Sequence, residues 1–394
     1  MSMLLKCLCP NNVAGCPACS ETARVQWAAF AARHRQDTPG QLIEQAIEGN
    51  RAEVVLGVLQ NTDIDINQAC DPHRYGSVSP LMTALRAGNA KIVALIAGQP
   101  RFALGQSLPE YERWNWVRSS SLGVLLQYLG ISGSDVNQQD GNGSTLLHEV
   151  VYDLTSPDKL RELLTRPEIA VDAKQGDGTT PLYRAGLVGN ASAFELLLSH
   201  NADANNRNND NRWTILICAV AENHIAIVDQ LLRRPEIDVN AADEIQNTAL
   251  HVAAERNRTR IVELLLRHPE TQVNLKNYMG WTPLSKAAFA GHIQVVRLLL
   301  RRRDVEVNFV DQDRQTPLFH AVSTGNVEMV RLLLSDSRTN AAIRNRPARH
   351  TALDMARALG FPAVAELVGR HASDRDELST RDPYMEGIEG KGMI

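Results

Sequence analysis

The chain has 394 residues, 44% of them hydrophobic and 22% charged, enough apolar material to bury a sizeable core. A formal net charge of −4 provides no broad basic field, which argues against nucleic acid as a partner. No apolar run approaches the roughly eighteen residues that a membrane span requires, and the opening "MSMLLKCLCPNN" is too short for a signal-peptide core. A cytoplasmic protein is expected, with the nucleus as the second location.

Residues 1–38 form an N-terminal segment rich in cysteine. Cys7, Cys9, Cys16 and Cys19 crowd together there, while Cys70 and Cys218 stand alone. A disulfide framework would spread its cysteines along the fold. Four closely spaced thiols are a candidate zinc site. Other readings stand beside it. Palmitoylation of Cys7 and Cys9 next to Leu4 and Leu5 would tether the chain to a membrane. The pair "CPAC" resembles a redox dithiol but lacks a strand-helix-strand setting. A reduced terminus without any ligand is the plainest reading.

Residues 39–144 carry an irregular pattern. "QLIEQAIEGNRAEVVLGVLQNTDIDIN" (41–67) holds two apolar helical stretches without a Thr-Pro start, and "SPLMTALRAGNAKIVALIAG" (79–98) begins a better unit at Ser79. "RFALGQSLPEYERWNWVRSS" (101–120) breaks the pattern and carries Glu110, Tyr111, Glu112, Trp114 and Trp116. "WNWVRSSSLGVLLQYLG" (114–130) is read as one more degenerate unit.

From residue 145 the pattern becomes regular. Thr145, Thr180, Thr214, Thr248, Thr282, Thr316 and Thr351 follow one another at steps of 34 or 35 residues. Each opens a word such as "TPLYRAG", "TALHVAA" or "TPLSKAA". A Thr side chain caps a helix by accepting a backbone N–H, and Pro at the first helical position gives up only a donor without a partner. Gly189, Gly291, Gly325 and Gly360 stop the short first helix, with Asn223 and Asn257 in the same slot of two units. A second helix such as "IQVVRLLL" places Ile293, Val296, Leu299 and Leu300 on one stripe. Neither helix hides its apolar face alone; stacked neighbours do so together.

These units resemble ankyrin repeats, whose signature is T-P-L-H-x-A at a period near 33. The resemblance implies an all-α solenoid of about ten helix-turn-helix units with β-hairpin loops, regular over residues 145–371 and degenerate over 39–144. Loops such as "RRPEIDVN" (233–240) are similar to those of fungal ankyrin proteins. His148 and His251 occupy the fourth place of the signature word, where the resemblance implies a brace between loops. Residues 372–394 hold few branched aliphatics and read as a disordered tail.

No phosphate-loop, nucleophile-elbow or zinc-protease motif occurs in the chain. The resemblance therefore implies a non-enzymatic scaffold, monomeric, that binds a partner protein through a concave surface of loop tips and first helices. Carried over position by position, that surface includes Tyr152 and Asp153, Trp213 and Glu222, Glu255 and Arg256, and the group Tyr278, Met279, Trp281 and Phe289. Aromatic residues, Met and Arg are enriched in binding hot spots. Two readings stand for Trp281, a partner contact or a brace for the next loop. The basic run "RLLLRRRD" (297–304) is read as a solvated helix end, and Arg302 as a surface residue. The competing functional reading is an enzyme or biosynthetic accessory protein, with a site in the N-terminal segment or in the irregular stretch 99–125.

Overall fold

The computed structural model describes residues 21–34, 37–62, 64–68, 70, 78–99, 102, 114–131, 134–155 and 157–380. The chain divides into two compact units, residues 1–203 and 204–394. In the first, helix pairs begin at Pro39, Pro80, Asn115, Leu146 and Pro181; in the second, at Ile215, Ala249, Pro283, Pro317 and Ala352. The expected solenoid of helix-turn-helix units is observed.

The repeated Thr does what its chemistry dictates. The hydroxyls of Thr180, Thr214, Thr282 and Thr351 accept the amide three residues on, at 3.2, 3.2, 3.3 and 3.2 Å. Past the first helix the chain reverses through a left-handed residue: φ is +83° at Gly189, +76° at Gly291, +65° at Asn223 and +56° at Asn257. The second helix then lays its stripe on the core. In Ile293–Leu300 the fully buried residues are Val295, Val296 and Leu299, whereas Ile293 and Leu300 are only half-buried. Each full burial of this kind contributes about 1.5–3 kcal/mol.

Adjacent repeats are stapled by polar groups whose roles the repeat pattern left unexplained. The Asn that ends each Val-Asn loop bridges to the next loop. Asn240 donates to the Glu270 carbonyl at 2.7 Å and accepts the Gln272 amide at 2.9 Å, and Asn274 repeats this with Asp304 and Glu306. Arg302 donates to the Leu266 carbonyl of the preceding repeat at 2.6 Å while its other nitrogens hold Asp304 at 2.9 and 2.7 Å. Arg302 is therefore a staple between repeats, not the free surface residue expected.

Three further boundaries differ from expectation. Helix Glu21–Arg33 lies inside the segment assigned as merely Cys-rich, with Phe30 buried and the Arg51 guanidinium 5.5 Å from its ring centre. The first repeat does have a Thr-Pro start: Thr38 and Gln41 form a reciprocal cap at 3.3 and 3.0 Å, with Pro39 as first helical residue. The last helix, Pro362–Thr380, continues past residue 372, where a tail was expected. The connecting tips contain no paired strands among the described residues, only the isolated bridges Arg207↔Thr214 and Ala242↔Thr248. The four N-terminal cysteines lie outside the described residues.

Trp114 and Trp116, singled out in the irregular stretch and read as part of a degenerate unit, are core residues at 1% exposure each. They pack on Tyr128 at 5.7 and 5.4 Å between ring centres, and Trp114 Nε1 donates to the Ser144 carbonyl at 2.9 Å. Glu110, Tyr111 and Glu112 lie outside the described residues.

Candidate functional site: loop tips and inner helices

The tips before Thr248, Thr282 and Thr316 are each folded around one Asp or Asn placed five residues before the Thr. Asn277 Oδ1 accepts the amides of Met279 and Trp281, both at 3.0 Å. Asp243 does the same for Ile245 and Asn247 at 3.0 and 2.7 Å, and Asp311 for Asp313 and Gln315 at 2.9 and 2.8 Å. Successive tips are then joined through their backbones. In the second unit Glu244 donates to Asn211, Tyr278 to Ile245, and Arg346 to Asp313, at 3.0, 3.1 and 2.7 Å. A surface held at both levels loses little entropy on binding.

The signature histidines lock the tips to the helices. His251 Nδ1 accepts from the Thr248 amide at 3.2 Å, and Nε2 donates to the Trp281 carbonyl of the next repeat at 3.0 Å. His148 makes the same pair of bonds to Thr145 and Thr179, at 3.1 and 3.3 Å. Burial pushes both imidazoles down to about 4, against the smaller upward pull of those carbonyls, so both stay neutral near pH 7. Protonation would place a second hydrogen against the Thr amide that Nδ1 must accept.

In the second unit Met279, Trp281 and Phe289, without Tyr278, line a cleft of about 380 Å³ bounded also by Glu255 and Lys286. Tyr278, Met279 and Phe289 are 63%, 61% and 49% exposed. Trp281 is half-buried: its ring meets Phe289 at 5.2 Å and His320 at 4.2 Å, so it braces the cleft while lining it. Behind it, His320 Nε2 lies 3.1 Å from Asp311 Oδ2, both side chains 4% exposed. Lys286 closes one wall through a 3.0 Å pair with Glu255. Trp213, Glu222 and Arg256 also meet. The Arg256 guanidinium sits 5.8 Å from the Trp213 ring centre and 4.0 Å from the Glu222 carboxylate.

The first unit departs further from expectation. Asp153 is not an exposed contact residue: its carboxylate pairs with the buried Lys159 at 3.1 Å, the two side chains 11% and 6% exposed. Burial alone would raise its pKa, but the Thr155 hydroxyl and the Lys159 ammonium outweigh that and hold it at about 2. Tyr152 is half-buried under two arginines. Two residues escaped the sequence reading. Ile245, 53% exposed at its tip, sits three before Thr248 just as Met279 sits three before Thr282. Lys286 had no signal beyond its place four residues after Thr282.

Among the described residues no group of three or more His, Cys, Asp or Glu side chains is arranged to hold a metal. Within the same residues no helix is long and apolar enough to cross a membrane.

Curated relatives share parts of this chain. The nuclear factor NF-kappa-B p105 subunit of Gallus gallus is 26% identical over 125 residues, 31% of this chain and 12% of that protein. Palmitoyltransferase Hip14 of Drosophila melanogaster is 34% identical over 138 residues, 34% of this chain and 21% of that protein. The chain thus spans about a fifth or less of the length of the curated relatives it matches. Among solved structures, the ankyrin repeat domain of Bcl-3 aligns at 28% identity and a TM-score of 0.45, covering 50% of this chain and 87% of that one. A family profile described as ankyrin repeats (3 copies) matches residues 117–208, 147–243, 236–311 and 303–376, well over half of the chain. With the capped helix pairs, the left-handed stops and the histidine braces already in place, the chain belongs to the ankyrin repeat family.

Proposed function

We propose that the chain is a non-enzymatic, monomeric scaffold that binds a partner protein through its tips and inner helices. The anchor is the cleft at Met279, Trp281 and Phe289. One observation carries this reading: Met279 and Phe289 stay 61% and 49% exposed around a formed cleft, with Tyr278 63% exposed on the same tip. Large apolar side chains gathered in this way mark interaction sites. The occupant that fits is an apolar or aromatic side chain of a protein segment, with a polar group beside it to meet Lys286 and Glu255. The burial of Trp114 and Trp116 supports the scaffold over an enzyme built on the irregular stretch. Cys70 and Cys218 are buried and form no disulfide, which suits a reducing compartment and supports the cytoplasm, with the nucleus second.

The test is a pair of measurements on each variant, affinity and melting. Partners captured from lysate by the wild-type chain are titrated against Phe289→Ala and Arg303→Ala. Phe289→Ala costs about 2 kcal/mol or more of binding, while its melting shifts little because half of the ring was already in water. Arg303 is exposed and serves as the surface control in place of the stapling Arg302. A partner that binds Phe289→Ala as tightly as wild type would place the binding surface elsewhere.

A further inference from the structure

A polar depression in the first unit is unrelated to the apolar cleft. It is a cavity of about 790 Å³ between the tips 139–144 and 174–177, floored by Arg118, Glu149 and Arg184. Tyr152 organises it. The Arg118 guanidinium stacks 3.9 Å from the centre of the Tyr152 ring and that of Arg184 lies 5.6 Å from it, so one ring gathers two guanidinium groups. Arg118 is then locked from one side only, whereas Arg184 is held by two partners. Arg118 donates through Nε to Glu149 at 2.5 Å, a carboxylate only 6% exposed that also accepts from the Ser144 hydroxyl at 3.2 Å. Arg184 donates to the Gln175 amide oxygen through Nε at 2.8 Å and through Nη2 at 2.5 Å, and through Nη1 to the Tyr152 hydroxyl.

What remains is an excess of donors. Among the described residues, the two terminal nitrogens of Arg118 and the Lys174 ammonium hold no acceptor. The acidic groups around the cavity are already engaged. Asp140 accepts the Asn142 and Ser144 amides at 2.9 and 2.8 Å, and Asp177 accepts the Thr179 amide and hydroxyl at 3.0 and 2.6 Å. Three cations thus face three carboxylates, each of which already accepts two hydrogen bonds. A locally balanced charge supplies no field for a polyanion, yet spare N–H groups remain for a single anionic group. We propose that Arg118, Arg184 and Lys174 form a receptor for one carboxylate or phosphoryl group carried on a segment of a protein partner.

The probe is a set of fluorescein-labelled octapeptides, identical except for a central glutamate, phosphoserine or glutamine, titrated by anisotropy into the full chain. At least one anionic peptide binds roughly tenfold tighter than the glutamine peptide, and the advantage shrinks as salt rises. Preference for glutamate assigns the site to carboxylates, and preference for phosphoserine assigns it to phosphoryl groups. Lys174→Ala and Arg118→Lys each weaken the anionic peptide about threefold or more. Arg118→Lys keeps a cation for Glu149 and loses only the fork, so the fold survives. Phe289→Ala leaves this discrimination intact, which separates failure here from failure of the apolar cleft. Equal binding of all three peptides, no effect of either variant, or a decadeoxynucleotide binding as tightly as the acidic peptides would overturn the proposal.

Discussion

Gly280 turns the tip that carries Tyr278 and Met279, and replacing it by alanine isolates how closely successive tips approach. Its φ is +77°, and an added Cβ would lie 2.9 Å from Asp311 Cα and 3.1 Å from the Gln312 amide nitrogen of the next tip. Gly360 in the same unit has φ +71° and nothing within 4 Å of its added Cβ. Both substitutions carry the left-handed penalty of about 1–2 kcal/mol. Only Gly280→Ala adds a backbone clash, which no side-chain rotation relieves and which costs a further ~1–3 kcal/mol. For a unit of this size, thermal melting therefore falls by roughly 2–8 °C for Gly360→Ala and by roughly 4–20 °C for Gly280→Ala. The same shift displaces the tip, so Gly280→Ala also weakens the binding proposed at Phe289, while Gly360→Ala does not. Differential scanning calorimetry of the two variants side by side reads the difference. Equal losses would mean that the tips yield freely and that the cleft is not preformed.

The remaining predictions concern the staples. His148 and His251 are held near 4 against an ordinary 6.5, so the unfolded chain takes up protons first as pH falls. Their stabilisation, up to roughly 3 kcal/mol each, is complete above pH 6.5 and is lost progressively between 6.5 and 4. Urea titrations at pH 7 and pH 5 show it, His251→Gln flattens the slope, and a pH-independent stability would sink the account. Arg302→Ala removes a bond to the Leu266 carbonyl and the grip on Asp304. It lowers unfolding free energy by about 1–2 kcal/mol where Arg303→Ala changes it by under about 0.5 kcal/mol, and equal effects would make Arg302 an ordinary surface residue.

The fold was legible because each repeat rests on residues whose backbone preference is strong and local. A Thr before Pro caps a helix wherever it falls, and a Gly or Asn at the stop takes positive φ. The same logic explains the one start that was overlooked. Thr38-Pro39 stands outside the regular 34-residue step, and only the reciprocal bond with Gln41 reveals it as a cap. The Val-Asn endings were visible as a pattern but not as a mechanism. Their bonds run to carbonyls about thirty residues further on, and no local propensity encodes that reach.

The candidate site was legible by position and not by exposure, and the reason is physical. Period fixes where a Cβ points, but the partners near its charged end decide whether that end stays in water. Asp153 and Glu222 fill the same place in their repeats, eight residues after Thr145 and Thr214, yet Lys159 draws Asp153 into the structure, whereas Glu222 meets Arg256 in solvent. Tyr152 shows the converse. An aromatic at a binding position became the platform for Arg118 and Arg184, residues that lie 34 positions before and 32 after it. A repeat thus specifies a lattice of addresses, and the chemistry at each address is set by neighbours one repeat away. Where those neighbours satisfy a polar group completely, as at Asp153, the address is structural. Donors left spare at Arg118, or apolar area left uncovered at Phe289, make it an address where a partner gains free energy by binding.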